Sequence, residues 1–362
     1  MSSQKALIAM SGGVDSSVAA YLMKQAGYDC TGAMMRLFDN DILGENQDSS
    51  CCSLDDAEDA RSVARRLGFP FHVFNSKADF EEKVIQKFIR CYECGATPNP
   101  CIDCNRHLKF DLLLRRGLEL GCDFVVTGHY ARICRDEQTG RFLLFRAADP
   151  GKDQSYVLYS LTQEQLAHVQ FPLGQFSKAE VRAIAEEQGF INARKRDSQD
   201  ICFVPDGDYV SFMERHTGKT YPEGDFLDLQ GNVVGRHRGA VSYTLGQRKG
   251  LGLAMGAPVY VCGKDMEKNT VTVGPNEALF SPALLATDWN WFPFETLTEP
   301  LKVEAKARYN QPPQPATVYP EENGAARVVF DQPQRALTPG QAVVLYQGDQ
   351  VIGGGTIERI LK

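Results

Sequence analysis

The apolar positions in the first half of the chain form short runs that alternate with segments of helical spacing. Runs typical of buried strands occur at KALIAM, CTGAMMRLF, PFHVFN and DFVVTGHYARI. Between them, apolar side chains recur at helical spacing, which predicts helices at 15–26, 54–67, 80–88 and 108–120. Strands separated by helices of this length predict a parallel sheet that is covered by helices on both faces.

The pattern changes after about residue 160. Residues 160–200 are predicted to be helical, with Ser177 and Glu180 forming a capping box at the start of KAEVRAIAEEQG. After about residue 205, short alternating runs lie between Gly, Asn and Pro turns, and they read AVSYTLG, PVYVCG, NTVTVG, ARVVF, AVVLYQG and QVIGGGTIERI. This pattern is typical of antiparallel sheet, and PNEALFSPA separates it into two small units.

The length of the chain supports a division into domains, because 362 residues exceed what one hydrophobic core serves. We predict an α/β domain over 1–204, in which 160–200 is a helical linker region. A small central β domain over 205–278 and a C-terminal β-barrel-like domain over 279–362 are predicted to follow. Hydrophobic residues are 43% and charged residues 23% of the chain, as in ordinary globular proteins.

The net charge and the number of cysteines indicate the cellular compartment and limit the kinds of partner that the protein can bind. The net charge is −7, so the field of the whole molecule does not favour nucleic acid. The N-terminal MSSQKALIAM has no apolar core long enough for a signal peptide, and no run approaches the roughly 18 apolar residues of a membrane span. We therefore expect a cytoplasmic protein without membrane association, whose eleven cysteines are ligands, nucleophiles or buried apolar groups.

Any polyanionic partner would need a local basic surface, and three basic clusters interrupt the acidic chain. They are Arg236, Arg238, Arg248, Lys249 and Lys264; Lys302, Lys306 and Arg308; and Arg194, Lys195 and Arg196. Such clusters are often solvated faces, but together they favour contacts with RNA phosphates, which position an RNA without reading its sequence.

The strongest local signal is ALIAMSGGVDSS, where a buried strand runs through Ser11–Ser17 directly into a helix. Glycines let the backbone approach a phosphate, and a helix start offers unpaired N–H groups. Because GxxxxGK[ST] is absent, no loop lysine would hold the phosphate, which suits binding of the pyrophosphate that leaves when the α-phosphate of ATP is attacked. The simpler interpretation is a glycine-rich turn with Asp15 as a helix cap.

Several blocks along the chain carry a family resemblance. SGGVDSS is similar to the PP-loop of ATP pyrophosphatases, and the further blocks are TPNPCIDCNRHLKF, TGHYAR, KDQSYVLY, DSQDICFV, YTLGQRKGLG, ARYN and TPGQAVVLY. In this order and spacing they resemble the bacterial tRNA-specific 2-thiouridylases over essentially the full length. The resemblance implies a PP-loop (adenine nucleotide α-hydrolase-like) parallel sheet with helices on both faces, followed by two small antiparallel β domains.

The activity implied by this resemblance is ATP-dependent conversion of the wobble uridine, U34, of Lys, Glu and Gln type tRNAs to 2-thiouridine. The C2 carbonyl of uridine is a poor electrophile, because oxide is a poor leaving group. Transfer of AMP to O2 creates a good leaving group and expels pyrophosphate. A sulfur nucleophile, supplied by a persulfide or sulfide donor protein, can then attack C2 of a base held out of its stack.

The resemblance also assigns binding residues. ATP with Mg²⁺ is expected to contact Ala9, Met10, Ser11, Gly12, Gly13, Val14, Asp15, Ser16, Met35 and Gly128. The tRNA is expected to contact Asn99, Pro100 and Cys101 near the target base, and Lys152, Asp153, Gln154, Arg308 and Tyr309 elsewhere. Taken alone, Met35 would be a core residue and Gly128 a turn residue.

The catalytic residues implied by the resemblance are Asp15, Cys104 and Cys202. Cys202 matches a cysteine that carries a persulfide, and Cys104 matches the partner that attacks it or pairs with it as a disulfide. Some family members have an acidic residue where this chain has Cys101. Cys101, Cys104 and Cys202 are therefore also predicted to be three ligands of a 4Fe–4S cluster with one open corner, and we favour this over the alternative, a metal-free persulfide relay.

Two further interpretations of the residues stay open. Cys91 and Cys94 with Cys101 and Cys104 satisfy the spacing of a zinc site, but that use would remove the reactive sulfur. Two rival functions also exist: another PP-loop adenylating enzyme of the ligase or amidating type, which would not need Cys104 and Cys202, and an iron–sulfur or tRNA-binding module with a vestigial loop. The roles of Cys51 and Cys52 are not predicted.

Overall fold

A computed structural model of the chain describes residues 3–38, 54–197 and 201–362. The chain forms two compact units. Unit 1 comprises 1–85, 100–207 and 348–352, and unit 2 comprises 86–99, 208–347 and 353–362. Among the described residues, no helix is long and apolar enough to cross a membrane.

The β-strands in the described ranges are β1 Lys5–Ala9, β2 Asp29–Arg36, β3 Phe71–Asn75, β4 Phe124–Val126, β5 Arg132–Arg135, β6 Phe142–Phe145, β7 Val169–Gln170, β8 Gly224–Leu227, β9 Val233–His237, β10 Tyr260–Asp265, β11 Thr270–Gly274, β12 Phe280–Trp291, β13 Leu301–Lys306, β14 Gln314–Pro320, β15 Ala326–Arg335, β16 Ala342–Gln347 and β17 Gln350–Leu361. The α-helices are α1 Val14–Gln25, α2 Leu54–Leu67, α3 Lys77–Phe80, α4 Gln86–Glu93, α5 Pro100–Asp103, α6 Leu113–Glu119, α7 Gln163–Ala167, α8 Lys178–Glu187 and α9 Tyr209–Thr217. Glu81–Ile85 and Cys104–Leu112 are π-helical.

Unit 1 is built on a parallel sheet in the order β3-β2-β1-β4-β7. Side chains of the central strand alternate between two apolar layers, as the period of a strand requires. Ile8 packs with Val18 of α1 and Val181 of α8, whereas Leu7 packs on the other face with Leu113 of α6. The parallel sheet covered on both faces, predicted from the sequence, is therefore confirmed.

Unit 2 contains a small sheet in the order β10-β11-β8-β9 and a larger antiparallel one in the order β12-β15-β14-β13-β16-β17. Residues 353–361 of β17 pair with β12, which closes the larger sheet into a barrel. The small sheet is antiparallel except where β11 pairs with β8 in parallel. The first residues of β17, 350–351, pair with β6 inside unit 1.

Four predicted elements differ from the observed ones. The region 160–200 is not continuously helical, because β7 Val169–Gln170 lies between α7 and α8 and joins the parallel sheet. The run DFVVTGHYARI does not form one strand, because β4 ends at Val126 and β5 begins at Arg132 in another sheet. AVSYTLG contains a 3₁₀ turn, and its apolar positions reflect the packing of Tyr243 against Phe226 in the core. The helix expected from Leu108 begins at Pro100, and its π-helical middle departs from the 3.6-residue spacing that the prediction assumed.

The predicted basic clusters are partly neutralised. In the first cluster, Arg236 pairs with Glu223 and Asp225. Arg248 and Lys249 are exposed. Lys264, which the sequence analysis counted in this cluster, adds no surface charge: its Nζ is buried and has no hydrogen-bond partner among the described residues.

Burial also lowers the pKa of Lys264 from 10.5 to about 8. We expect Lys264→Met to raise the free energy of unfolding at neutral pH by roughly 1–3 kcal/mol, because it replaces an uncompensated buried charge with an apolar chain. Between about pH 8 and 10.5 the unfolded chain holds the proton and the folded chain does not, so wild-type stability rises with pH in this window. The gain in stability from Lys264→Met should therefore become smaller as the pH rises from about 8 to 10.5.

Urea unfolding followed by tryptophan fluorescence measures this difference, because both tryptophans, Trp289 and Trp291, lie in unit 2 with Lys264. Lys249→Met, at an exposed lysine of the same unit, is the control and should change stability little. A stability gain that stays constant from neutral to alkaline pH would contradict the prediction.

Candidate active site

The SGG loop connects β1 to α1 in a conformation that requires glycine. Gly12 has φ +76°, and a Cβ at this position would lie 2.4 Å from the main-chain oxygen of Asp56 in α2. Both the left-handed backbone and the close approach exclude other side chains. The loop is thus pressed against the first turn of α2.

Serine hydroxyl groups in the first turn of α1 stabilise the loop through hydrogen bonds. The Oγ atoms of Ser16 and Ser17 each donate a hydrogen bond of 3.0 Å to the carbonyl of Gly13. The N–H of Ser11 donates to Ser16 Oγ at 3.2 Å. The first N–H groups of α1 have no partners within the helix, so the loop and the helix start form an anion-binding arrangement.

Asp15 lies in the first turn of α1, and its carboxylate is paired. Lys178, the first residue of α8, donates from Nζ to Asp15 Oδ1 at 2.7 Å and to Oδ2 at 2.9 Å. The hydroxyl of Tyr130 donates to Oδ1 at 2.7 Å. Burial and the neighbouring charge of Asp15 raise the pKa of Tyr130, so the phenol stays protonated and remains a donor.

Lys178 also connects Asp15 to a second carboxylate. Its Nζ lies 2.7 Å from Asp197 Oδ1, and Asp197 additionally pairs with Lys152 at 2.7 Å and Arg182 at 3.1 Å. Burial alone would raise the pKa of Asp197, but the hydrogen bonds from Lys152 and Lys178 outweigh it and lower the pKa. Asp149 also belongs to this group, because its carboxylate accepts a hydrogen bond of 3.0 Å from the main-chain N–H of Lys178. Three cations and three carboxylates therefore balance beside the loop.

Gly128 follows β4 and passes directly over the start of α1. A Cβ on this residue would lie 2.8 Å from both the carbonyl carbon of Asp15 and the N of Ser16. This contact explains why the predicted strand ends at Val126: the chain turns out of the sheet to cross the helix start. The structure thus places Gly128 beside the start of α1.

We expect Gly128→Ala to raise the KM for ATP about tenfold, because the first turn of α1 must move to accept the methyl group. Pyrophosphate release at varied ATP concentration measures the effect. Gly263→Ala is the control, since its Cβ would meet no atom closer than 3.7 Å. An unchanged KM in a folded Gly128→Ala protein would argue against a role of this crossing in nucleotide binding.

The remaining predicted nucleotide residues contribute in different ways. Ala9 and Met35 are partly buried hydrophobic residues packed against the core on the face of the sheet that α6 covers. The side chain of Met10 is buried on the opposite face, and its N–H donates to the carbonyl of Ala33. Met10 therefore offers the nucleotide no side chain.

The candidate sulfur residues Cys101, Cys104 and Cys202 all belong to unit 1. Cys101 is exposed in α5, and Cys104 is half-buried one helical turn later, where the π-helix begins. Cys202 is half-buried. Its neighbour Phe203 packs edge-to-face on Phe80 of α3, with ring centroids 5.6 Å apart, which anchors the chain beside this thiol.

Metal binding by these cysteines stays a prediction from the sequence. Within residues 3–38, 54–197 and 201–362, no group of three His, Cys, Asp or Glu side chains is arranged to hold a metal ion. Cys51 and Cys52 lie outside the described residues.

The predicted tRNA contacts of unit 1 are largely engaged with the protein. Lys152 pairs with Asp197, as described above, and Asp153 accepts hydrogen bonds from the N–H and Oγ of Ser155. Gln154 accepts one from the main-chain N–H of residue 130. Asn99 is the last residue of the segment 86–99, which belongs to unit 2, and it directly precedes Pro100, the first residue of α5.

In unit 2, Arg308 and Tyr309 lie just after β13. Nη2 of Arg308 donates to the carbonyls of Leu245 and Ala336 and to the hydroxyl of Thr338, at 2.7 to 3.1 Å. This arginine therefore ties two loops of unit 2 together. Tyr309 is exposed, with the ammonium of Lys306 5.3 Å from its ring centroid.

Sequence reasoning missed four residues of the site: Tyr130, Lys178, Asn192 and Asp197. Tyr130 lies in the block TGHYAR and Asp197 in the block DSQDICFV. Both blocks contribute to the family resemblance, but it assigns no role to these two residues. The predicted capping box at Ser177 and Glu180 is confirmed, and it places Lys178 at the helix start. Nothing local in the sequence signals that Lys178 reaches Asp15.

These features define an α/β nucleotide-binding protein of the PP-loop class. The family model described as tRNA methyl transferase HUP domain matches residues 4–206, the tRNA methyl transferase PRC-barrel domain matches 210–275, and the aminomethyltransferase beta-barrel domain matches 281–357. A tRNA-specific 2-thiouridylase MnmA from Clostridioides difficile is 50% identical over 99% of both chains. One from Acetivibrio thermocellus is 49% identical over 99% of this chain and 100% of its own. The chain belongs to the tRNA-specific 2-thiouridylase family.

A solved structure, a 4-thiouridine synthetase–RNA complex with bound ATP, is 17% identical to this chain. It covers 59% of this chain and 50% of its own, with a TM-score of 0.36. A similarity this low carries no argument about function.

Proposed function

We propose that this protein is a tRNA-uridine 2-sulfurtransferase. It uses ATP to adenylate O2 of the wobble uridine U34 and then transfers sulfur to C2, releasing 2-thiouridine in tRNA, AMP and pyrophosphate. The observation that carries the proposal is an anion-binding loop and two half-buried thiols, Cys104 and Cys202, in one folded unit of a chain that belongs to this family.

ATP binds with its phosphates at the loop 11–13 and the start of α1. The N–H groups there and the ammonium of Lys178 stabilise the pyrophosphate as it separates from the α-phosphate. Mg²⁺ would be held mainly by the phosphates of ATP, and Asp15, which is paired with Lys178, would be the loop carboxylate available to it. A metal held mainly by phosphates needs only one or two protein carboxylates.

In this proposal sulfur passes between the two thiols as a persulfide relay. The route is supported over a cluster by the absence of a group of three metal-ligating side chains among the described residues. The terminal sulfur of a persulfide on Cys202 forms a bond to C2, while the C2–O2 bond breaks and AMP leaves with the electron pair. The thiolate of Cys104 then attacks Sγ of Cys202. The S–S bond breaks, sulfur stays on C2, and a Cys104–Cys202 disulfide forms, which a thiol reductant reopens.

The tRNA is held by contacts on both units. Asn99, Pro100 and Cys101 approach the target base, and the exposed Tyr309 offers a stacking face. The segments that meet the RNA backbone are supported by Lys152, Asp153, Gln154 and Arg308. Two exposed residues, Arg248 and Lys249, add positive charge. The substrates are tRNAs of the Lys, Glu and Gln type, the sulfur comes from a persulfide or sulfide donor protein, and the reaction takes place in the cytoplasm.

The test is a reconstituted reaction with anaerobically purified protein, ATP, Mg²⁺, a persulfide donor that transfers its outer sulfur to Cys202, a thiol reductant and a tRNA transcript bearing U34. Pyrophosphate and 2-thiouridine should appear together, and a transcript with C34 should yield neither. Release of pyrophosphate with a different modified nucleoside would contradict the proposal.

Iron and acid-labile sulfide analysis of the same protein tests the sulfur route. We expect thiolation without iron, and a Cys101→Asp protein that remains active. Activity that follows the iron content and is lost in Cys101→Asp would favour the cluster instead.

A further inference from the structure

Asn192 lies far from the loop in sequence but contacts it directly. It follows α8 and is buried, with a relative exposure of 3%. Its Nδ2 donates two hydrogen bonds of 2.9 Å, one to the carbonyl of Gly12 and one to Oγ of Ser17. Since Ser17 Oγ in turn donates to the carbonyl of Gly13, one amide group restrains two successive carbonyls of the loop.

The direction of a carbonyl determines the direction of the next N–H group. A peptide unit is planar and trans, so its C=O and N–H point to opposite sides of the chain. Holding the Gly12 carbonyl toward Asn192 turns the N–H of Gly13 away from Asn192. Holding the Gly13 carbonyl toward the serines turns the N–H of Val14 outward in the same manner.

The loop needs this restraint because Gly12 and Gly13 have no Cβ. Glycine adopts positive and negative φ with similar ease, and Gly12 stands at +76°. A flip of the peptide between Gly12 and Gly13 would exchange its N–H for its carbonyl oxygen. The anion would then meet a negative partial charge where it should meet a donor.

We propose that Asn192 is a positioning residue of the phosphate-binding loop, which orients the amides of Gly13 and Val14 toward the phosphates of a nucleotide. The inference rests on the proposed use of ATP at this loop. Asn192 itself touches no phosphate, because its Nδ2 is committed to the loop carbonyl and to Ser17.

The test compares ligands with and without phosphate by calorimetric titration of Asn192→Ala. The Kd for ATP and for inorganic pyrophosphate should rise about tenfold, as expected for a lost buried hydrogen bond, while the Kd for adenosine changes less than about twofold. Asn192→Asp should weaken ATP binding further, because its carboxylate would face the Gly12 carbonyl. Equal losses for ATP and adenosine, or no loss, would overturn the inference.

Gln163→Ala is the matched control. Gln163 also satisfies main-chain groups of unit 1 with its side-chain amide, but it bonds to Phe142 and not to the loop. This variant should lower Tm and leave the Kd for ATP unchanged.

A second measurement keeps the inference separate from the proposed function. The Tm of Asn192→Ala, Ser17→Ala and the double variant, measured without ligand, should be non-additive, because both substitutions interrupt one relay of hydrogen bonds. Additive changes would overturn the inference. Non-additive changes in a protein that binds neither ATP nor pyrophosphate would contradict only the proposed function.

Discussion

Cys202→Ser is expected to reduce 2-thiouridine formation at least about a thousandfold, because a serine hydroxyl cannot carry the transferable sulfur. Adenylation does not need this thiol, so one equivalent of pyrophosphate per tRNA should still be released in a single turnover. The two products are measured in the same reaction, by nucleoside chromatography and by a pyrophosphate assay. Loss of both would mean that Cys202 supports the nucleotide site and not the sulfur step.

Cys104→Ser should fail at a later stage than Cys202→Ser. After attack by the Cys202 persulfide, no thiolate remains to cleave the S–S bond, so the tRNA should stay linked to the protein through C2. This adduct should appear on a non-reducing gel and be released by dithiothreitol as thiolated tRNA. Cys134→Ser, at an exposed cysteine of the same unit, is the control and should thiolate normally. A Cys104→Ser protein that turns over at the wild-type rate would exclude the relay.

The second large effect is expected from Lys178→Met, which removes the cation shared by Asp15 and Asp197. Lys178 is only 13% exposed, and both carboxylates would face each other without it. We expect the rate of pyrophosphate release at saturating ATP to fall about a hundredfold, as when an oriented charge is removed from a transition-state site. The free energy of unfolding should fall by roughly 1–3 kcal/mol, because the partly buried Asp15 loses its cationic partner and Asp197 loses one of three.

Arg182→Met distinguishes the role of Lys178 in the adenylation rate from its role in stability. Arg182 pairs with Asp197 at 3.1 Å but has no bond to Asp15, so its loss should lower stability modestly and leave the adenylation rate within about threefold. Stopped assays of pyrophosphate release and chemical unfolding of each variant give the comparison. A Lys178→Met protein with reduced stability and a normal rate would restrict this lysine to folding.

The elements that the sequence predicts well are those whose signals are local. A buried run followed by SGGVDSS specifies β1, the loop and α1, and the Ser177–Glu180 box specifies the start of α8. The contacts that complete the site are not local. Lys178 reaches Asp15 across 163 residues and Asn192 reaches Gly12 across 180, and only the packing of α8 on α1 brings them together.

The wrong predictions have the same origin in tertiary packing. Basic residues between 229 and 264 looked like one surface, but the alternation of β10 buries the ammonium of Lys264. The apolar run after Asp123 looked like one strand, but Gly128 has to cross the helix start.

The way the chain divides between its two units affects the order in which they can fold during synthesis. Unit 1 includes residues 348–352, and Val351 completes the hydrogen bonding of Leu144 in β6. The ribosome must therefore finish nearly the whole protein before the N-terminal unit has all of its strands. Such late, long-range pairing slows folding and leaves a sheet edge open in the nascent chain, a state that chaperones are suited to protect.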